Sequence, residues 1–170
     1  MAQTKWFDRK FDFSYTQNIF PSIIERLMGT PARLEEKIRS IPQEVLTIKP
    51  GGAWSIKENI GHLTDLESLW QGRLQDFLDS KTTLRPADLQ NTRTSEANHN
   101  ATPVEVLLKD FREVRKHTIE SLADLTEEQI FSTALHPRLK TPMRLMDSFL
   151  FVAEHDDHHL ARITEISKLR

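Results

Sequence analysis

The sequence contains no cysteine among its 170 residues. This absence excludes disulfide bonds, thiolate metal ligands and a cysteine nucleophile. Any metal site must therefore use nitrogen and oxygen ligands. No segment approaches the roughly 18 apolar residues that a membrane-spanning helix needs, and the N-terminal region has no apolar run of signal-peptide length. We therefore expect no membrane partner and predict a cytoplasmic protein.

The net charge of the chain is also small. The formal net charge is −2, with acidic and basic residues interspersed, so the chain lacks the positive field that attracts nucleic acid. Nucleic acid is therefore not an expected partner. Hydrophobic residues make up 38% and charged residues 28%, as in ordinary folded proteins, and this length can bury one continuous core. We predict a single domain over residues 1–170.

Glycine is rare, with 5 in the chain, and the prolines fall mostly between segments of helical periodicity. This arrangement indicates helices joined by loops. A first helix is predicted over residues 17–41, bent or divided at residues 29–31. A second begins after Ser55, where Glu58 completes a capping-box pattern, and its apolar stripe continues to about Leu78.

The second half of the chain predicts two more long helices. Residues 79–100 carry no sustained period and are predicted to form a long connection, often a functional or mobile feature. A third helix is predicted over residues 102–122. A short helical turn at 127–131 and an irregular stretch at 132–141 precede a last helix from about Met143, where Thr141-Pro142 repeats the pattern of a cap followed by proline. Four long helices predict an all-α four-helix bundle.

Three histidines fall within five residues of the predicted last helix. At about 100° per residue, His155 and His159 lie about 40° apart on an apolar face, whereas His158 lies on a polar side and should be solvated. Two imidazoles bind a metal weakly, so a third ligand must come from another helix. His62, on the flank of the second helix, is the best candidate. Neutral imidazoles suit zinc or nickel, with manganese or iron as further possibilities.

A structural role remains open for each histidine on this pattern alone. A single histidine on a helix flank, such as His62, is more often a structural residue than a ligand. For the pair His155 and His159, burial without a metal or polar partners would carry a desolvation cost.

Several segments resemble those of the DinB/YfiT-like superfamily. The two signature segments are Trp54-Ser55 with residues 59–63, and residues 151–160; residues 135–137 and 141–143 also fit. The resemblance covers most of the chain, roughly residues 19–169. It implies a bundle with an up-down-down-up path, frequently a homodimer.

The resemblance also implies a metal site. The implied ligands are His62, His155 and His159, the same three that the helix geometry selects. Arg162 departs from the pattern because many members have glutamine there, and its charge could meet an anionic substrate or reach solvent. Relatives in the superfamily include thiol S-transferases that use bacillithiol, mycothiol-dependent isomerases and metal-dependent hydrolases.

We therefore predict an enzyme in which the metal activates water or a low-molecular-weight thiol for reaction with a small-molecule substrate. The alternatives are a non-catalytic metal-binding stress-response bundle and a helical interaction module without metal. Asp156 is predicted to orient a ligand or act as a base, or else to be a polar residue at the helix edge, and Asp65 is similar. Further residues could line the pocket or serve the core and loops: Trp54, Trp70, Asn98 and His99.

Overall fold

The computed structural model describes residues 3–169. Its elements, in chain order, are α1 (Phe20–Arg39), α2 (Ile56–Leu78), α3 (Thr92–Glu96), α4 (Val104–Leu122), α5 (Glu127–Phe131), β1 (Thr133–Leu135), β2 (Pro142–Arg144) and α6 (Leu145–Ile166). The four long helices α1, α2, α4 and α6 form the bundle. Within residues 3–169, none of the helices combines the length and apolar character needed to cross a membrane.

Contacts between neighbouring helices determine the direction of each helix. Helices α1 and α6 are parallel, as shown by the contacts Arg26–Asp157 and Lys37–Thr164. Helix α4 is antiparallel to α1, through Arg112–Glu35 and Arg115–Leu27. Helix α2 is parallel to α4, through Glu67–Arg115 and Gln71–Thr118. The path is therefore up-down-down-up, and the predicted four-helix bundle is confirmed. Parallel α2 and α4 need the long connection, which must return the chain to the same end of the bundle.

Helix α1 is continuous, so the division predicted at residues 29–31 is wrong. Pro31 lies inside the helix and lacks the N–H that would bond to the carbonyl four residues earlier, that of Leu27. The Nη1 group of Arg115 donates a hydrogen bond of 3.4 Å to that carbonyl. A side chain from α4 thus satisfies the group that the proline leaves unpaired. The helix is also shorter than predicted, because it spans Phe20–Arg39 rather than residues 17–41.

A β-hairpin extends from the stretch predicted to be irregular, residues 132–141, into the predicted start of the last helix. β1 and β2 pair antiparallel, with Ala134 opposite Met143, and α6 begins at Leu145, two residues later than predicted. Pro142, interpreted as the first turn of a helix, belongs to β2 instead. Strands of three residues carry too little alternation to be detected. The hairpin also holds the connection after α2, because the Leu84 N–H donates to the Leu135 carbonyl at 3.0 Å.

A buried ionic group, which we call the Arg115 cluster, joins all four long helices at mid-length. Arg115 is 2% exposed, and its partners Glu67 and Asp156 are fully buried. The Arg115 guanidinium donates to Glu67 Oε1 at 2.7 Å and to Asp156 Oδ1 at 3.1 Å. The Thr30 hydroxyl adds a bond of 2.9 Å to Asp156, and the Thr118 hydroxyl donates to Glu67. The cluster therefore links one residue or more from each of α1, α2, α4 and α6.

We expect Arg115→Met to lower the free energy of unfolding by about 3–5 kcal/mol, because the substitution leaves two buried carboxylates without their cation. The matched control is Arg112→Met on the same helix, where the ion pair with Glu35 is exposed and should contribute about 0–1 kcal/mol. Urea unfolding followed by circular dichroism measures both. Equal losses in the two variants would contradict the role given to the Arg115 cluster.

Candidate metal centre

The three predicted ligands His62, His155 and His159 meet between α2 and α6. One nitrogen from each lies within 4.8 Å of the other two, and all three residues are buried. His155 and His159 are one turn apart on α6, and their Nε2 atoms are separated by 3.2 Å. Helix α2 runs antiparallel to α6 and brings His62 to the same point. One ion could therefore contact all three imidazoles.

The side chain of Asn59 fixes the tautomer of His159. The Asn59 amide nitrogen donates to the Ser55 carbonyl at 2.7 Å, so its oxygen faces the His159 ring. That oxygen lies 2.8 Å from His159 Nδ1, which must then carry the proton. The Nε2 atom of His159 is consequently an unprotonated nitrogen directed at the cluster.

A similar relay fixes His62. The Thr94 hydroxyl donates to Asp65 Oδ2 at 2.9 Å, so it can only accept from His62 Nδ1, which is 3.0 Å away. His99 binds the same carboxylate oxygen through Nε2 at 2.8 Å. His62 therefore also presents an unprotonated Nε2 to the cluster. A histidine whose second nitrogen is hydrogen-bonded to a supporting group is the usual arrangement for a metal ligand.

Burial keeps the imidazoles neutral. It lowers the pKa of His62 to about 4, and burial followed by neighbouring histidines lowers the pKa of His155 and His159 well below the ordinary value. Neutral imidazole is the form that binds metals. Within residues 3–169 the buried Nδ1 atom of His155 has no hydrogen-bond partner, and its Nε2 lies beside the Nε2 of His159 in the cluster. The donor set therefore fits a divalent transition metal.

The cluster opens onto a cavity of about 590 Å³. Indole rings form much of its wall: Trp54 lies 4.5 Å from His62, while Trp70 and Trp6 lie 5.8 and 5.0 Å from His155, between ring centroids. Such a volume and apolar lining are typical of small-molecule sites. Trp54 and Trp70 thus line the cavity, one of the two roles that the sequence left open for them, whereas Trp6 belongs to an N-terminal segment that precedes the first predicted helix.

His158 is not solvated as expected, but half-buried and part of the cavity wall. The N-terminal segment covers it: the Trp6 ring lies 5.5 Å away, and Gln3 donates to the His158 backbone carbonyl at 3.2 Å. Helix periodicity could not reveal this cover because it is formed by a segment distant in sequence.

The other residues that the sequence suggested for the site do not line the cavity: Asp156, Asp65, Asn98 and His99. Asp156 binds Arg115 through both carboxylate oxygens and does not line the cavity, so its predicted catalytic role stays a prediction and its placement favours the structural alternative. Asp65 supports His62 through Thr94. His99 binds Asp65, and neither it nor Asn98 lines the cavity.

The cavity wall also contains three arginine residues. Arg162 lines the cavity and pairs with Glu165 on its own helix. Arg73 and Arg138 also line it, although the sequence interpretation did not single them out. Arg73 follows Trp70 by three residues, a helical spacing that places the two side by side.

Fold and site together define a four-helix bundle with three histidines gathered on one flank. Residues 26–163 match the sequence profile described as the DinB superfamily. The chain belongs to the DinB superfamily.

Two relatives align with most of this chain. A protein of Bacillus subtilis named "Putative metal-dependent hydrolase YfiT" is 26% identical over 147 residues, which is 85% of this chain and 82% of the relative. A Bacillus pumilus protein with the corresponding hydrolase name is 25% identical over 147 residues, covering 85% of this chain and 83% of its own. The solved structure of YfiT from Bacillus subtilis, described as having an unusual four-helix bundle topology, superposes with a TM-score of 0.76 at 23% identity. That superposition covers 94% of this chain and 92% of the YfiT chain, and supports the fold.

We expect Gly61→Ala to weaken zinc binding roughly 10–100-fold, the range found when a group supporting a metal ligand is lost. A Cβ atom at Gly61 would lie 2.3 Å from the His99 ring, which packs on the backbone of α2, so His99 must leave Asp65. Gly29→Ala on α1 is the control, since its Cβ would meet only Arg33 Nε at 4.0 Å. Competition with a chromogenic chelator measures the affinity. Wild-type affinity in Gly61→Ala would show that the bond between His99 and Asp65 does not support the metal site.

Proposed function

We propose that this protein is a metal-dependent enzyme in which His62, His155 and His159 hold one divalent ion that activates water or a low-molecular-weight thiol. The observation that carries the proposal is the convergence of three buried, neutral imidazoles on the wall of a cavity large enough for a small molecule. The hydrolase names of the two Bacillus relatives support it.

An open coordination position favours catalysis over a bracing role. Structural zinc sites usually have four protein ligands, whereas catalytic sites have three and leave a position for water or substrate. Among residues 3–169, the potential ligand group contains three histidines and no carboxylate. Asn59, Thr94 and the aromatic wall are neutral and contact the imidazoles rather than completing a fourth position.

The donor set favours particular metals. Three neutral nitrogens suit zinc or nickel, with manganese or iron as weaker candidates. A divalent ion with only neutral ligands keeps its full charge and so lowers the pKa of a bound water or thiol. The protein contributes the fixed orientation of His159 by Asn59, the relay from Asp65 through Thr94 to His62, and indole rings beside the imidazoles.

We also propose a homodimer located in the cytoplasm, with a small molecule as substrate. The family resemblance supports the dimer, and the cavity volume supports the substrate. Sedimentation velocity of the purified protein tests the oligomeric state directly.

We expect protein purified without an affinity metal column to contain close to one divalent ion per chain, and His62→Ala or His155→Ala to lose it. Each substitution removes one of three ligands, and two imidazoles hold an ion weakly. His158→Ala is the matched control, because it lies on the same helix and the same cavity but outside the ligand group. Elemental analysis by mass spectrometry measures the content.

Metal retained in the His62→Ala and His155→Ala proteins, or lost equally in His158→Ala, would contradict the ligand set.

With metal bound, ester and amide substrates test water activation, and monobromobimane with a low-molecular-weight thiol tests S-transfer. Tight metal binding without either activity, and without exchange of bound water, would favour a bracing role.

A further inference from the structure

One wall of the cavity is cationic. Arg73, on α2, is 3% exposed and lines the cavity. Its Nε donates to the Arg85 carbonyl at 3.2 Å, and among residues 3–169 it forms no salt bridge. Burial lowers the pKa of Arg73 to about 10, so the group remains charged at neutral pH. Asp76, one turn further along α2, stabilises this charge but is hydrogen-bonded to Arg85. Among residues 3–169 no carboxylate is hydrogen-bonded to Arg73, and a buried guanidinium without a directly bonded carboxylate is costly and suits the binding of an anion.

His136 faces Arg73 with a second donor. Backbone N–H groups of Arg138 and Leu139 donate to His136 Nδ1 at 3.3 and 3.1 Å, so the neutral ring carries its proton on Nε2. Burial, with the nearby Arg73, lowers the pKa of His136 to about 4 and keeps the ring neutral. His136 Nε2 lies 3.2 Å from Arg73 Nη1. Two donors therefore meet with no acceptor between them.

Arg138 supplies a third unpaired donor. Its Nη2 atom is buried and has no hydrogen-bond partner among residues 3–169, and its guanidinium lies over the Phe151 ring at 5.9 Å. The acidic residue on the cavity wall, Asp88, is already engaged, because its oxygens accept from the backbone N–H groups of Gln90 and Thr92 at 2.9 and 2.8 Å. Among residues 3–169, Asp88 forms no hydrogen bond or salt bridge with Arg73 or Arg138.

We propose that Arg73, His136 and Arg138 form an anion subsite that binds the carboxylate or phosphate group of the ligand in this cavity. An anionic oxygen between Arg73 Nη1 and His136 Nε2 would accept from both, and Arg138 could donate to a second oxygen. Charge-assisted bonds from planar guanidinium groups suit both carboxylate and phosphate.

The anion subsite lies one indole ring away from the histidines. The Trp70 ring centroid is 5.5 Å from Arg73 Cζ and 5.8 Å from the His155 ring. A ligand anchored there would lay its apolar part along Trp70 and extend toward the metal ligands. That the ligand is the substrate rests on the proposed function; anion binding by Arg73 and its neighbours does not.

The test compares probes that differ in charge. Phenylacetate and phenylacetamide share size and ring, and phenyl phosphate distinguishes the two anion classes. Isothermal titration calorimetry measures their binding to the protein as purified and after removal of metal by a chelator. We expect one or both anions to bind, the amide to bind at least about 10-fold more weakly, and anion affinity to survive metal removal.

Substitutions of the arginines test which residues bind the anions. Arg73→Gln and Arg138→Gln should each weaken anion binding about 10-fold or more, with little effect on the amide. Arg112→Gln, on the outer face of α4, is the control and should leave all probes unaffected. Thermal unfolding verifies that each variant is folded, and if Arg73→Gln is not, Arg138→Gln decides the assignment.

Several results would overturn the anion subsite. These are no measurable binding of either anion, equal binding of phenylacetamide, wild-type affinity in the folded arginine variants, or loss of all anion binding on metal removal. The last would mean that the carboxylate or phosphate binds the ion itself. Because metal content is measured separately, failure of the anion subsite and failure of the metal site give different results.

Discussion

The structure depends on the requirement that the buried charge of Arg115 be neutralised. An unpaired guanidinium in an apolar interior is strongly unfavourable, so α2 must supply Glu67 and α6 must supply Asp156 at one level of the bundle. Asp156 directly follows His155, and Glu67 lies five residues after His62. The ion pairs therefore set the register of α2 against α6, and that register brings the three imidazoles together. The same guanidinium satisfies the carbonyl that Pro31 leaves free in α1.

Much of the bundle could be predicted because its long helices carry a regular apolar period and recognisable caps. The capping box at Ser55 and Glu58 is present as expected. The hairpin could not be predicted, since three-residue strands have no measurable period and Pro142 imitates a helix start. The Arg115 cluster has one trace in the sequence. Glu67 lies within the apolar stripe of α2, and a charge at such a position indicates a buried partner.

Only part of the candidate site was accessible from sequence. The spacing of His155 and His159 on one helix face is local, so periodicity could pair them. His62 needed the resemblance as well, because a single histidine carries no pattern. Thr94 belongs to a connection without a period, and the cavity wall combines Trp6 with residues of the hairpin loop. Contacts between segments so distant along the chain are determined by tertiary packing, which no local pattern records.

We propose that three imidazoles from two helices bind one metal and leave a position open. X-ray absorption spectroscopy of the zinc-loaded protein can test this proposal, because imidazole rings give a recognisable multiple-scattering signal. We expect three imidazole nitrogens at about 2.0–2.1 Å and at least one further light ligand that a small anion or thiol can replace. Two or fewer imidazoles, or a fourth protein ligand that no added molecule displaces, would contradict it.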